Sequence, residues 1–172
     1  SNLKNLIIFS KTKKSPISID LIISNTIKAK GLKFANQYQI KKKIFNFKNI
    51  KTTEKKLFIL LKKNKIKFIC LAGFMKILSS KFIKQFNGKI INIHPSLLPR
   101  YKGLNTHSRA IQNKDKFSGC TVHYVTEKLD SGKIIMQKKI KILKKDTSSS
   151  LARKILKQEH KIYPKAILKI FN

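Results

Sequence analysis

The feature that most constrains this chain is the stretch 90–103, where a run of isoleucines is interrupted by Asn92 and His94 and then stopped by Pro95. Side chains alternate between faces along an extended strand, so Asn92 and His94 are expected on one face, opposite Ile91 and Ile93. Pro95 has no N–H and a fixed φ, so the strand is predicted to end at His94. In open α/β sheets, sites gather at the carboxyl ends of strands.

An amide and an imidazole at such a position suit a particular kind of chemistry. A side-chain amide can donate to a developing oxyanion, and an imidazole can move a proton near neutral pH. The alternative is structural: His94 caps the strand through a backbone hydrogen bond, and Asn92 does the same for a neighbouring loop. The spacing alone leaves both interpretations open.

The length of 172 residues and the 41% hydrophobic content fit one domain over residues 1–172. Forty Lys and Arg against seven Asp and Glu give a formal charge of +33, which invites a nucleic-acid interpretation. The lysines are nevertheless spread through every segment, together with an excess of Ile, Asn and Phe that is typical of A and T rich coding sequences. We therefore interpret the charge as solvated surface and expect no specific nucleic-acid partner.

Cys70 and Cys120 both lie in strand-like runs, which favours buried, reduced thiols over a disulfide or a metal pair. A cytoplasmic location is therefore expected. No run reaches the roughly 18 uncharged apolar residues of a membrane span, and the N-terminus has no signal-peptide pattern. Membrane association and secretion are not expected.

In the first half of the chain, the pattern predicts a helix that begins at Ser1 or Asn2. A helix capped by Thr52 or Thr53 and ending near Asn64 precedes a buried apolar strand, and this pairing is the repeat unit of a parallel sheet. The other predictions are strands in 17–24, 39–47 and 66–72, a helix over 26–34, a loop over 73–78, and a helix from Ser79 or Ser80 to Phe86.

In the second half, Asn105 or Thr106 is predicted to cap a helix. Strands over 119–126 and 134–142 are expected to form a hairpin with Asp130 at its tip. Asp146 or Thr147 is predicted to cap a final helix that Pro164 kinks or restarts. The fold class predicted is α/β, with a Rossmann-like, mostly parallel open sheet flanked by helices and ending in a hairpin and a helix.

Several separate motifs closely resemble the phosphoribosylglycinamide formyltransferase family, among the folate-dependent formyltransferases. They occur in the family's order and cover nearly the whole chain, at residues 71–78, 92–99, 103–107, 121–125, 129–132 and 158–164. Methionyl-tRNA formyltransferase and formyltetrahydrofolate deformylase carry a similar Asn, His and Asp set. Residues 103–107 and the Gln-Glu-His ending favour the glycinamide ribonucleotide enzymes, and the tRNA enzyme tends to carry a further C-terminal domain.

The resemblance implies transfer of the formyl group of 10-formyltetrahydrofolate to the amine of glycinamide ribonucleotide, in purine (IMP) biosynthesis, without a metal. It implies Asn92 as the oxyanion donor, His94 as the general acid, and Asp130 as the carboxylate that orients the imidazole or a water. The remaining alternative for Asp130 is a turn aspartate that bonds its own backbone. His107 and His123 are expected to shape the site. The partners implied are these two small molecules, with the chain a monomer or homodimer.

The resemblance also assigns substrate contacts. The folate contacts are Met75, Lys76, Ile77, Leu78, Asn92, Thr126, Glu127, Lys128, Leu129 and Asp130. The glycinamide ribonucleotide contacts are Ser1, Asn2, Gln158 and Glu159. Lys76 stands where an arginine is common in the family, so a charge for the folate glutamate tail remains without bidentate pairing.

One departure concerns the N-terminus. The family begins with a strand in the middle of its sheet and a glycine-rich loop leading into the helix that binds the ribonucleotide phosphate. The chain starts at Ser1 and Asn2, within that loop. We therefore expect the first strand to be missing from this sequence and the phosphate cradle to be reduced to the start of the helix.

Overall fold

The computed structural model describes residues 1–172. Helices and strands alternate along the first two thirds of the chain, a hairpin follows, and a long helix ends it. The helices are α1 (Asn2–Ser10), α2 (Leu32–Gln37), α3 (Ile50–Lys63), α4 (Ser80–Gln85), α5 (Thr106–Gln112) and α6 (Ser148–Phe171). The strands are β1 (Ile22–Ser24), β2 (Lys42–Ile44), β3 (Phe68–Leu71), β4 (Lys89–His94), β5 (Phe117–Tyr124) and β6 (Ile134–Lys141).

The strands form two sheets, one with the order β1-β2 and the other with the order β3-β4-β5-β6. The pairs β1–β2 and β3–β4 are parallel, and β5 and β6 continue the larger sheet as antiparallel strands. The predicted α/β class with parallel pairs flanked by helices is confirmed, as is the β5–β6 hairpin. β4 ends at His94, as the proline predicts.

Helices cover both faces of the larger sheet. Ile91 and Ile93 are buried on the side of α6, in a core shared with β5. Ile90 points the other way and packs with Phe82 of α4 and with α3. β4 is thus apolar on both sides at its start and becomes polar on one side only at Asn92 and His94.

Two predicted helix features are wrong in detail, and one of the two alternatives for a third is excluded. Residues 26–30 form turns, and α2 begins only after Gly31, which is its N-cap. The cap of α3 is Asn49, whose side chain accepts from the N–H of Thr52, while Thr53 lies inside the helix and donates to the Asn46 carbonyl. α6 runs through Pro164 as one helix, so the predicted restart does not occur. Tyr163, Ala166 and Ile167 are buried on either side of the proline, and this packing outweighs one lost hydrogen bond.

Other predictions hold more closely. Ser1 caps α1, Ser79 caps α4 and Thr147 caps α6. β1 and β3 are shorter than predicted, and β3 is only partly buried. Both cysteines are free thiols, with Cys120 fully buried and Cys70 partly buried. None of the helices is both long enough and apolar enough to cross a membrane.

Candidate active site

His94, at the end of β4, is buried and has an acceptor at each ring nitrogen. Its Nε2 lies 2.8 Å from the carbonyl oxygen of Tyr101. A carbonyl only accepts, so Nε2 carries a hydrogen and donates it. Its Nδ1 lies 3.4 Å from Oδ2 of Asp130. The imidazole is therefore held between a backbone carbonyl and a carboxylate, which fixes the orientation of the ring.

Asp130 reaches back from the hairpin between β5 and β6 to the end of β4. It has a positive φ of 46°, and its side chain is only 8% exposed. Oδ2 accepts from the N–H of Gly103 at 2.8 Å, and Oδ1 lies 3.6 Å from Nε2 of His123. The carboxylate thus meets two imidazoles and a backbone donor, which is not the pattern of a turn aspartate that bonds only its own backbone.

His123 faces Asn92 across the β4–β5 pair. Its Nδ1 donates to the Tyr124 carbonyl at 2.9 Å, and its Nε2 lies 3.4 Å from Nδ2 of Asn92. Burial is the main influence on the pKa of His123 and lowers it, which favours the neutral ring. The neutral ring, with Nδ1 protonated, accepts from Asn92 and so fixes which way the Asn92 amide points.

His107, in the first turn of α5, is the third histidine near this cluster. Its Nδ1 is buried without a hydrogen-bond partner. Burial, followed by the nearby charge of His94, lowers its pKa. His107 therefore adds a neutral polar group beside the site, consistent with its predicted role in shaping the pocket.

The loops assigned to folate differ in how much side chain they offer. Met75, Lys76 and Ile77 are exposed, with Met75 at 72% and Ile77 at 62%. Leu78 is instead buried in the core beside Phe82, so only its backbone is available to a ligand. Residues 126–129 are exposed, and Glu127 pairs with Lys84 at 3.2 Å.

Of the four residues assigned to glycinamide ribonucleotide, Asn2 and Glu159 meet at the start of α1. Nδ2 of Asn2 donates to Oε2 of Glu159 at 2.7 Å, while Oδ1 of Asn2 is buried without a partner. Burial raises the pKa of Glu159, and the hydrogen bond from Asn2 acts in the opposite direction. Ser1 is exposed, and Gln158 is half-buried beside Glu159 on α6.

Sequence reasoning missed the Tyr101 carbonyl and the Gly103 N–H, which orient His94 and Asp130. Backbone groups have no side-chain signature, so residue types could not reveal them. The one available signal is Gly103 itself, whose φ of 77° is a conformation that glycine adopts at no steric cost. No group of three or more His, Cys, Asp and Glu side chains is arranged to hold a metal ion.

This geometry supplies an amide donor for an oxyanion and an imidazole–carboxylate pair for proton transfer, at the carboxyl end of a strand in an α/β sheet. Such a site in this fold fits the class of Rossmann-like enzymes that transfer a group through a tetrahedral intermediate. Residues 1–167 match the formyl transferase family. The chain therefore belongs to that family, which confirms the resemblance seen in the motifs.

The relatives agree on the subgroup. Phosphoribosylglycinamide formyltransferase of Haemophilus influenzae is 41% identical over 170 residues, which are 97% of this chain and 80% of that protein. The human trifunctional purine biosynthetic protein adenosine-3 is 39% identical over 97% of this chain. The chain spans only 17% of the length of that human relative.

Solved structures give the same result. The phosphoribosylglycinamide formyltransferase of Anaplasma phagocytophilum has a TM-score of 0.89 at 42% identity, covering 96% of this chain and 78% of that one. The enzyme of Bacillus halodurans has a TM-score of 0.94 at 32% identity, covering 99% and 90%. The fold described above is thus the fold of these formyltransferases.

Proposed function

We propose that the chain transfers the formyl group of 10-formyltetrahydrofolate to the amine of glycinamide ribonucleotide, giving formylglycinamide ribonucleotide and tetrahydrofolate in purine biosynthesis. The observation that carries the proposal is the meeting of Asn92, His94 and Asp130 at the end of β4. The names of the relatives support the choice of substrates.

Asn92 serves the oxyanion. Attack of the substrate amine on the formyl carbon puts negative charge on the formyl oxygen, which needs a donor already in place. One N–H of the Asn92 amide faces His123, which leaves the second N–H for the oxyanion. Because His123 fixes the amide, little reorganisation is needed during the reaction.

His94 and Asp130 serve the protons. The attacking amine must lose a proton, and the folate nitrogen must gain one as the C–N bond breaks. Nε2 of His94 donates to the Tyr101 carbonyl at 2.8 Å, whereas Nδ1 faces Asp130 at the longer distance of 3.4 Å, so Nδ1 is the nitrogen better placed to exchange a proton with the reactants. Asp130 stabilises the imidazolium form and keeps the ring in position.

The two substrates approach from different sides. Residues 75–78 and 126–130 hold the folate, where the exposed Met75 and Ile77 offer apolar surface and Lys76 offers charge for the glutamate tail. The start of α1 receives the ribonucleotide phosphate through Ser1 and Asn2. Gln158 and Glu159 contact the amine and ribose side.

We extend the proposal to the setting of the enzyme: a monomer or homodimer in the cytoplasm, with no specific nucleic-acid partner. Burial raises the pKa of both Cys70 and Cys120 to about 12, which keeps them as unreactive thiols. Free cysteines without a disulfide fit a reducing compartment. The dispersed lysines support the absence of a sequence-reading surface.

The direct test is turnover of 10-formyltetrahydrofolate with and without glycinamide ribonucleotide. We expect transfer that depends on the ribonucleotide, and a loss of roughly 10²–10⁴ in kcat for His94→Ala because the proton donor is gone. Circular dichroism and the Tm serve as the control that the variant is folded.

Two results contradict the proposal. Turnover of folded His94→Ala within a few fold of wild type removes His94 from the mechanism. Folate breakdown without any acceptor identifies a deformylase, and formyl transfer to charged initiator tRNA identifies the tRNA-directed enzyme.

A further inference from the structure

The loop 73–78 between β3 and α4 needs to be held in place. Its middle is exposed at Met75 and Ile77, and Gly73 at its start has a φ of 70°. Its last residue, Leu78, is buried in the core. Ser79 is the N-cap of α4, so its position sets the point at which the loop ends and the helix begins.

Glu54 of α3 holds Ser79 through two hydrogen bonds. Its Oε1 accepts from the Ser79 N–H at 2.7 Å, and its Oε2 accepts from Ser79 Oγ at 2.5 Å. Ser79 Oγ in turn accepts from the N–H of Phe82 as the N-cap of α4. One carboxylate therefore fixes both the backbone and the side chain of the residue that ends the loop.

The chemistry of Glu54 is unusual for this chain. The residue is only 7% exposed and takes part in none of the ion pairs, although the chain has 40 lysines and arginines. A buried carboxylate is costly unless its oxygens receive strong hydrogen bonds. Both of those bonds come from Ser79, and they are charge-assisted and therefore specific in geometry.

We propose that Glu54 is a positioning residue for folate: it fixes the loop 73–78 in its binding conformation by holding Ser79 against α3. This inference rests on the proposed function, in which that loop contacts 10-formyltetrahydrofolate. Without the carboxylate, the free loop samples more conformations. Folate binding must then order the loop, and this loss of conformational entropy weakens the affinity. The start of α1, where the ribonucleotide binds, does not depend on Ser79.

The test is steady-state kinetics of Glu54→Ala and Glu54→Gln in the full chain. We expect Glu54→Ala to raise the KM for 10-formyltetrahydrofolate about tenfold, the usual effect of losing a charge-assisted hydrogen bond. The KM for glycinamide ribonucleotide and kcat are expected to stay within about twofold. Glu54→Gln is expected to recover most of the loss, because an amide oxygen accepts from the Ser79 N–H and an amide N–H donates to Oγ.

Two further variants separate positioning from general stability. Ser79→Ala removes the hydroxyl bond to Glu54 together with the cap of α4, but keeps the bond from the Ser79 N–H. We therefore expect its effect on folate KM to be smaller than, and not additive with, that of Glu54→Ala, while the lost cap lowers Tm. Asp146→Ala is the matched control. Asp146 likewise accepts from one backbone N–H and one serine hydroxyl, those of Leu143 and Ser150, before α6. Its loss is expected to lower Tm and leave folate KM unchanged.

A folate KM within about twofold of wild type in folded Glu54→Ala overturns the proposal, as does an equal rise in the KM for the ribonucleotide. If wild type shows no ribonucleotide-dependent transfer, the proposed function fails instead. Hydrogen exchange then tests the anchoring by itself: faster exchange at residues 74–79 in Glu54→Ala supports it, and unchanged exchange overturns it.

Discussion

At the scale of single residues, the acidic side chains carry much of the organisation. The chain has only seven, and six of them have defined partners: Glu54, Asp115, Glu127, Asp130, Asp146 and Glu159. Asp115 binds both Arg100 and the hydroxyl of Tyr101, the residue whose carbonyl receives His94. In a strongly basic chain, each carboxylate has many possible cations nearby. Specific geometry must therefore come from hydrogen bonds as well as from charge.

Glu159, which we propose contacts the ribonucleotide, is buried at a cost in stability. Burial raises its pKa in the folded protein, so the folded state binds the proton more tightly than the unfolded chain. Below the pKa of an unfolded glutamate, about 4.3, the carboxyl is mostly protonated in both states and the stability of the folded protein is greatest. As the pH rises through the raised pKa, the buried carboxyl ionises and this stability is lost. We predict that Glu159→Gln increases the free energy of unfolding at pH 7 and raises the KM for glycinamide ribonucleotide.

The measurement is denaturant unfolding of both proteins from pH 4 to pH 8. The gain in Glu159→Gln is expected to shrink toward zero as the pH falls below about 4.3, where the wild-type carboxyl is mostly neutral in both states. The amide oxygen of Gln still accepts from Asn2, so that contact serves as the internal control. A gain that does not change with pH contradicts the electrostatic explanation.

At the scale of elements, the sequence predicts best where one residue has a single possible effect. Pro95 ends β4 at His94, and the alternation of Asn92 and His94 with isoleucines sets their faces. The prediction of the α3 cap was wrong because three good capping residues lie within five positions: Asn49, Thr52 and Thr53. Phe47, just before the helix, packs in a core with residues of α3 and α4, and such non-local contacts are not visible in a local capping pattern.

The candidate site divides in the same way. Asn92, His94 and Asp130 could be predicted from side-chain chemistry and motif order. The backbone partners at Tyr101 and Gly103 could not, because they depend on the path of the chain. Glu54 looks like an ordinary charged residue of an amphipathic helix, and only the tertiary structure shows it turned toward Ser79.

The start of α6 allows a pH prediction for one element. Asp146 receives hydrogen bonds from Lys154, the Leu143 N–H and Ser150, which lower its pKa to about 2. A lowered pKa means that its stabilisation is present above the unfolded value of about 3.9 and is lost as the pH falls toward 2. We predict that Asp146→Asn lowers the free energy of unfolding at neutral pH, and that the deficit closes between about pH 4 and pH 2.

Acid titration of unfolding, followed by circular dichroism, checks this prediction. Lys154→Met is the companion variant, since Lys154 is the largest cause of the lowered pKa. Without Lys154 the pKa of Asp146 is less depressed, so the loss of stability on acidification (the acid limb of the stability curve) is expected at higher pH. An acid limb that coincides in wild type, Asp146→Asn and Lys154→Met contradicts the role of this network.

At the scale of the whole molecule, the charge of +33 remains to be explained by function. Both proposed substrates are anions, one through its phosphate and the other through its glutamate tail. A strongly positive surface raises their local concentration and their association rates, over a range limited by screening to about 10 Å at 0.1 M salt. The charge thus fits small anionic substrates without any sequence-reading surface.

This view predicts how the chain behaves with DNA. Binding to random duplex DNA is expected at low salt and should fall by roughly 10³-fold or more between 50 and 200 mM salt if six or more phosphates are neutralised. Affinities should be equal for unrelated sequences, because contacts to phosphates carry no sequence information. Fluorescence anisotropy with two unrelated duplexes measures both, and heparin as competitor tests whether charge alone suffices. Tight binding to one duplex over the other at 150 mM salt contradicts the small-anion interpretation, because dispersed lysines attract phosphates without reading bases.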